Sequence, residues 1–322
     1  MIDPELPPGL TPSPTSRGLV WTRGLLSVDM VHVPAGTFLC GATAERAGPP
    51  DPLGIGDAWR ESVPPELRFD DSPGRRALDE FTGWLEGVVG ALEVMERDPE
   101  EGGDLLDALS HRPLPPHEHH LERGFWIART PVTGAQFALY ESASGDSRPR
   151  REERPDYPVT KVTWDEAQSF CQWAGLELPD EVEWEYAARG ADGRTFPWGE
   201  DPPDERTSVF AGHSRWGRVS KAPVGSAVWG ASPWGALDMC GNVQEWCQNS
   251  FYESAKECCR LSHEPRGEVF DRFFRPQKCV RGASFRSGPY ACRCTYRHGV
   301  RDTWTRDDLG FRPVLRTPLR CP

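Results

Sequence analysis

Ten cysteines and eight histidines are the side chains of this 322-residue chain with the most chemistry to offer, and spacing decides what they can do. Cys258-Cys259 and Cys292-x-Cys294 are the only close cysteine pairs. A zinc ribbon needs two C-x2-C pairs at fixed separation, which this chain does not have, so both pairs read as buried or incidental thiols. His117-Glu118-His119-His120 is the densest imidazole cluster. In a strand His117 and His119 share one face while His120 points the other way, and no third ligand has a fixed position, so a metal here is the less favoured reading.

Charge is unevenly placed. Lys and Arg number 37 against 49 Asp and Glu, a net of −12, yet residues 279–322 carry nine Arg and three Asp, a net of +6. The overall acidity argues against wholesale nucleic-acid binding. Gly and Pro together make 64 residues, about a fifth of the chain against roughly an eighth in average usage. With 13 Trp and 14 Phe beside them, this is a loop-rich, packed fold and not a disordered chain. Four Lys to 33 Arg and only two Asn fit a GC-rich genome, and scarce Asn also suits a thermophile. No apolar run approaches the roughly 18 residues of a membrane span. The N-terminus Met1-Ile2-Asp3-Pro4-Glu5 lacks the basic and apolar parts of a signal peptide, so the expected location is cytoplasmic.

The elements that must position these groups follow from local pattern. Residues 1–24 read as an N-terminal arm, and residues 25–322 as a single domain opening with two strand-like runs broken at Pro34-Ala35-Gly36. Residues 41–116 read as an acidic insertion. Within it Leu78, Phe81, Leu85, Val88, Val89, Leu92 and Met95 form one face of an amphipathic helix opened by Ser72-Pro73 and closed by Asp98-Pro99. Thr163-Trp164-Asp165-Glu166 has the form of a capping box, Trp164, Ala167, Phe170, Cys171 and Ala174 line one face, and Gly175 is the stop. Asp180 opens a second short helix that ends at Gly190.

Several motifs occur in order: Met30-Val31-x-Val33-Pro34-Ala35-Gly36-Thr37-Phe38, Leu178-Pro179-x-Glu181-x-Glu183-Trp184-Glu185-Tyr186-Ala187-Ala188-Arg189-Gly190, Phe196-Pro197-Trp198-Gly199, Gly241-Asn242-Val243-x-Glu245-Trp246, Arg281-Gly282-Ala283-Ser284-Phe285 and Leu309-Gly310-Phe311-Arg312. The chain resembles the formylglycine-generating-enzyme (sulfatase-modifying factor) type of C-type lectin fold over residues 25–40 and 117–316. The fold class this implies is α+β, loop-rich, with the helical acidic insertion outside it. The oxidase of that family holds copper(I) on two cysteines spaced C-x4-C after the Gly-x-Ser-aromatic segment, since soft thiolates suit that ion. Those positions fall here on Ser287 and Cys292, so half of the pair is missing and the oxidase is not expected. A related iron-dependent sulfoxide-synthase branch needs an H-x3-H-x-E motif that His111, His117, His119 and His120 do not make.

The tail resembles the variable proteins of diversity-generating retroelements, whose C-terminal cassette keeps a fixed frame around rewritten positions. Residues 281–312 fit that frame without a gap, with Asp302 where a second Pro is usual and Cys292 and Cys294 in the central stretch. The resemblance implies a non-enzymatic protein whose diversified surface binds an unknown ligand, a protein or other macromolecule, without nucleic acid or catalytic cofactor. Arg286, Ser287, Gly288, Tyr290, Ala291, Tyr296, His298, Gly299, Val300, Arg301, Thr303, Trp304, Arg306, Asp307 and Asp308 are the expected ligand-binding positions. Rigid aromatics beside small polar groups also make a recognition mixture on physical grounds, with Tyr290, Trp304, Arg286 and Arg301 as anchors unless the aromatics are core residues. The resemblance further implies a structural calcium site on Asp238, Gly241, Val243 and Glu245, a hard oxygen set. Two alternatives remain: an enzyme or regulatory module using Cys292, and an assembly domain whose contact is the acidic insertion.

Overall fold

The computed structural model describes residues 10–12, 19–23, 25–42, 114, 116–145, 154–217, 220–251 and 277–316. The amphipathic helix expected at 72–98, Cys258, Cys259 and most of the 41–116 insertion lie outside them, as does the side chain of Tyr290.

The N-terminal strands illustrate why these residues form sheet. In β3 (Leu26–Val33) Leu26, Val28 and Met30 are buried while Ser27 is exposed and Asp29 half-buried, the period of two that a strand with one covered face requires. It pairs antiparallel with β6 (Phe125–Ala128), which pairs in turn with β11 (Val314–Arg316). The segment expected as a separate arm supplies two further strands, β1 (Leu10–Pro12) and β2 (Leu19–Arg23), giving the order β1-β2-β3-β6-β11. The strands β4 (Gly36–Cys40) and β5 (His117–Leu121) flank the insertion and pair with each other, Cys40 opposite His117.

The second sheet carries the cassette. Its order is β10-β7-β8-β9, from β7 (Gln244–Ser250), β8 (Gln277–Arg281), β9 (Arg297–Arg301) and β10 (Leu309–Gly310). The short β10 runs parallel to β7 and the other pairs are antiparallel. This mixture of sheets, few helices and long connections is the expected α+β, loop-rich C-type lectin fold.

Among the described residues three α-helices pack onto the sheets. The helix α1 (Gly134–Ser144) was not among the expected elements, although Thr133-x-x-Gln136 is a capping box that could have signalled it: Gln136 N donates to Thr133 Oγ1 and Thr133 N to Gln136 Oε1. The helix α2 (Trp164–Ala174) matches expectation in cap, face and stop, with Ala167, Phe170, Cys171 and Ala174 buried and Gly175 left-handed at φ 71°. Phe170 stacks on Phe137 of α1 and meets Phe311 edge-on, joining both helices to the end of the cassette. The helix α3 (Glu181–Arg189) is buried along its whole length, acidic residues included.

Replacing Thr163 with Ala removes the side-chain half of the α2 cap and is expected to cost about 1 kcal/mol of stability, read as a shift in the denaturant midpoint. An unchanged midpoint would show that tertiary packing alone holds this helix end.

Candidate ligand-binding site

The cassette rests on buried charge. Glu181 on α3 accepts from Arg297 of β9 at 2.6 and 2.9 Å, and Arg281 of β8 lies 3.2 Å from it. One turn along, Glu185 accepts from Arg281 at 2.9 Å and from Arg189 at 3.1 Å. Burial works against the charge of Arg281, but the Glu185 and Glu181 carboxylates outweigh it and raise its pKa well above the ordinary value. A second centre joins β7 to the chain beyond β10: Glu245 accepts from Trp184 Nε1 at 2.7 Å and from both arms of the Arg312 fork at 2.6 and 2.7 Å. Between β8 and the cassette loop Gly282 adopts φ 76°, and a Cβ there would press Met239 O at 3.0 Å and the Trp184 ring at 3.2 Å.

From this base the frame residues Ser284, Phe285, Leu309 and Phe311 pack inward. Phe285 N donates to Asn242 O, and Phe285 joins Val209, Ala222 and Ala227 with Trp216 against them. The expected ligand-binding positions then divide. Arg286 and Thr303 are exposed; Ser287, Gly288, Arg301, Trp304, Arg306 and Asp307 are half-buried. They come from two loops that the Arg286–Asp307 ion pair holds together at 2.5 Å. The Arg301 guanidinium lies over the Trp304 ring at 5.2 Å, and Trp304 also packs on the core, so anchor and core residue are one and the same here. A third loop joins the rim: Ala211 N donates to Ser287 O, and Arg215 covers the Trp216 ring at 4.7 Å.

The other positions require correction. Ala291, Tyr296, His298, Gly299, Val300 and Asp308 are buried and cannot meet a macromolecule as they stand. Val300 belongs to the apolar core. A Cβ on Gly299 would meet Phe251 Cδ1 at 2.9 Å as well as the Gln277 amide, so that position has no room for varied side chains. Asp308 lies 3.1 Å from Arg306; burial would raise its pKa, but Arg306, the Ser284 hydroxyl and Arg286 together hold it below the usual value.

Two further sets were tested against the geometry. Cys292 is buried with Sγ 3.6 Å from Ser208 Oγ, and burial pushes its pKa up to about 12. Ser287 Oγ instead contacts Ser284 Oγ at 3.2 Å, so the C-x4-C positions present a hydroxyl and a thiol and not a thiol pair. The calcium set does not fit at Glu245, whose two oxygens are committed to Trp184 and Arg312. Asp238 Oδ2 accepts from Gly225 N at 2.6 Å, and burial pushes its carboxyl up to about 6. At the histidine strand His120 Nδ1 lies 2.9 Å from Thr37 Oγ1, His117 and His119 sit with ring centroids 6.0 Å apart, and no group of three potential ligands is assembled among the described residues.

Sequence reasoning passed over the buried acids of α3 and over Ser208, Arg215 and Trp216. The acids stood in a quoted motif, but a Glu on a short helix reads as surface unless its arginine partner is known. Replacing Arg312 with Met leaves Glu245 with one neutral donor in a fully buried setting. The expected cost is about 3–5 kcal/mol in chemical denaturation, and a loss below 1 kcal/mol would contradict the pairing described here.

Comparison with known proteins places this geometry. Residues 90–317 match the family model described as a sulfatase-modifying factor enzyme 1-like domain. The formylglycine-generating enzyme of Thermomonospora curvata is 30% identical over 92% of this chain and 93% of its own. The inactive C-alpha-formylglycine-generating enzyme 2 of Bos taurus is 32% identical over 50% of each chain. The chain thus spans half the length of that relative and about a third of the chlamydial protein kinases it also matches. Among solved structures, PvdO from Pseudomonas aeruginosa superposes with TM-score 0.59 at 20% identity, covering 93% of this chain and 98% of that one. Treponema denticola variable protein 1 covers 92% of this chain and 98% of its own at 15% identity and TM-score 0.49, too slight a likeness to argue from. On the family match and the nearly full-length bacterial relative, the chain belongs to the sulfatase-modifying factor enzyme 1-like family.

Proposed function

We propose that this protein is a non-enzymatic member of its family that binds a macromolecular ligand through the exposed rim of the 281–312 cassette. The observation that carries the reading is the pairing of two facts at one place. The C-x4-C position that must supply a second thiol holds Ser287, whose hydroxyl lies 3.2 Å from that of Ser284. Its neighbour Arg286 is exposed and is tied by Asp307 to the stretch that carries Arg301 and Trp304, on a frame anchored by buried ion pairs. A serine hydroxyl is a poor ligand for copper(I), and burial favours the neutral form of the Cys292 thiol, which opposes the thiolate that metal binding needs. Membership of the family does not by itself bring chemistry, since one fold serves many functions and one relative carries the word inactive in its name.

The diversified reading narrows accordingly. Variation would act on Arg286, Ser287, Gly288, Arg301, Thr303, Trp304, Arg306 and Asp307, while His298, Gly299 and Val300 serve β9. Arginine and tryptophan supply the kind of contacts that dominate binding energy, and small polar neighbours adapt around them.

Substituting Arg286, Arg301 and Trp304 together by Ala is expected to weaken binding of a ligand captured on the wild-type chain by about 100-fold or more, with circular dichroism unchanged. Retained affinity would overturn the surface. Diversification is tested at the DNA level: a near-copy of the segment encoding residues 281–312, differing at its adenines and lying beside a reverse transcriptase, is the expected finding. Stoichiometric copper with thiol-dependent oxygen consumption lost on Cys292→Ser would instead establish the oxidase.

A further inference from the structure

Seven cysteines among the described residues are buried, and two of them, Cys247 and Cys279, lie on neighbouring strands of the sheet that carries the cassette. Glu245 of β7 stands opposite Arg281 of β8 and Trp246 opposite Val280; Cys247 and Cys279 are the next residues on the two strands, at the point where the register shifts. Side chains alternate along strands, so both cysteines point to the face that Glu245 and Arg281 occupy. Both belong to one buried apolar cluster, and the Cys247 thiol is pushed up by burial and by the Cys279 thiol beside it. Neighbouring strands of a sheet lie about 4.7–4.9 Å apart. A disulfide spans Cα separations of about 4.4–6.8 Å.

We propose that Cys247 and Cys279 are a redox site, a dithiol that closes to a cross-strand disulfide beneath the cassette. The oxidant class is a small disulfide such as glutathione disulfide. Burial pushes the Cys247 thiol up, so the thiolate forms when local opening exposes the pair; it attacks an oxidant sulfur, forming a mixed disulfide and releasing one thiol, and the second attacks that mixed disulfide, forming the Cys247–Cys279 bond and releasing the other. Two electrons pass to the oxidant, and the two thiol protons end on the two released thiols.

The surroundings tolerate the change. The Cys279 thiol donates to Glu181 Oε2 at 3.1 Å, and losing that donor leaves the carboxylate with Arg297 and Arg281. Entry is provided by the outer end of β7, where Gln248 is exposed, Asn249 and Ser250 are half-buried and the pairing register breaks between Trp246 and Ser250, so that local opening uncovers the pair. Closure would pin β7, which carries Glu245, to β8, which leads into the cassette at Arg281. The redox state thereby sets how rigidly the recognition loops are held.

The test uses the full chain incubated with glutathione disulfide just below its thermal midpoint, then blocked with iodoacetamide. Digestion with trypsin and a glutamate-specific protease cuts after Glu245 and separates Cys240 from Cys247. The expected product is a peptide pair linked between Cys247 and Cys279, two hydrogens lighter than the separate thiols and dissociated by dithiothreitol. The oxidised chain should also melt at a higher temperature than the reduced one, and that increment should vanish in both Cys247→Ala and Cys279→Ser, the latter keeping a hydroxyl donor to Glu181. Recovery of both residues as alkylated thiols, or linkage of Cys279 to any other cysteine, overturns the proposal.

Discussion

Three carboxylates without solvent contact, Glu181, Glu185 and Glu245, have to be neutralised inside this protein, and the arginines that do so fix the positions of the strands around them. An unpaired ion in such a place is prohibitively costly, whereas a hydrogen-bonded pair is tolerable. Arg281 bridges two of the acids, Arg297 doubles the hold on one, and the Arg312 fork closes on the third. These contacts join α3 to β8, β9 and the segment that leads out of β10. The value of such pairing lies in specificity more than in net stability: an apolar core accepts small slips of register, but a fork that must meet a carboxylate does not.

What sequence makes legible here is local, and what it hides is paired over distance. The caps of α2 and α3 could be read because a capping box involves residues three apart. The α2 face could be read because burial on a helix repeats every three to four residues. By contrast Glu181 and Arg297 are 116 positions apart, and nothing near either one marks it as buried. The helix α1 shows the reverse failure: its capping box stood in plain view, but its apolar positions are too few to draw attention, Phe137 being its one buried residue.

The cassette separates spacing from exposure. Its frame could be placed residue by residue because the tail resembles that of the variable proteins. Which slots face outward depends on what covers β9, and a strand covered on both faces shows no alternation from which to tell inside from outside. Arg297, His298, Gly299 and Val300 are consecutive and all buried. Exposure returns only where the chain leaves the strand, from Arg301 onward, so the usable surface is made of loops at the strand's ends and not of the strand itself.

The same separation explains how this fold can part with chemistry and remain intact. None of the arginine-carboxylate contacts involves Ser287 or Cys292; the Ser287 hydroxyl bonds within its own turn, and Cys292 Sγ touches Ser208 and Gly288 O. A change between thiol and hydroxyl at 287 therefore disturbs one short loop and none of the pairs that position the sheet. Under the proposed function, loops supported in this way would exchange a metal-binding pair for a recognition surface at little cost in stability, because the contacts that order them lie beneath, in the buried ion pairs.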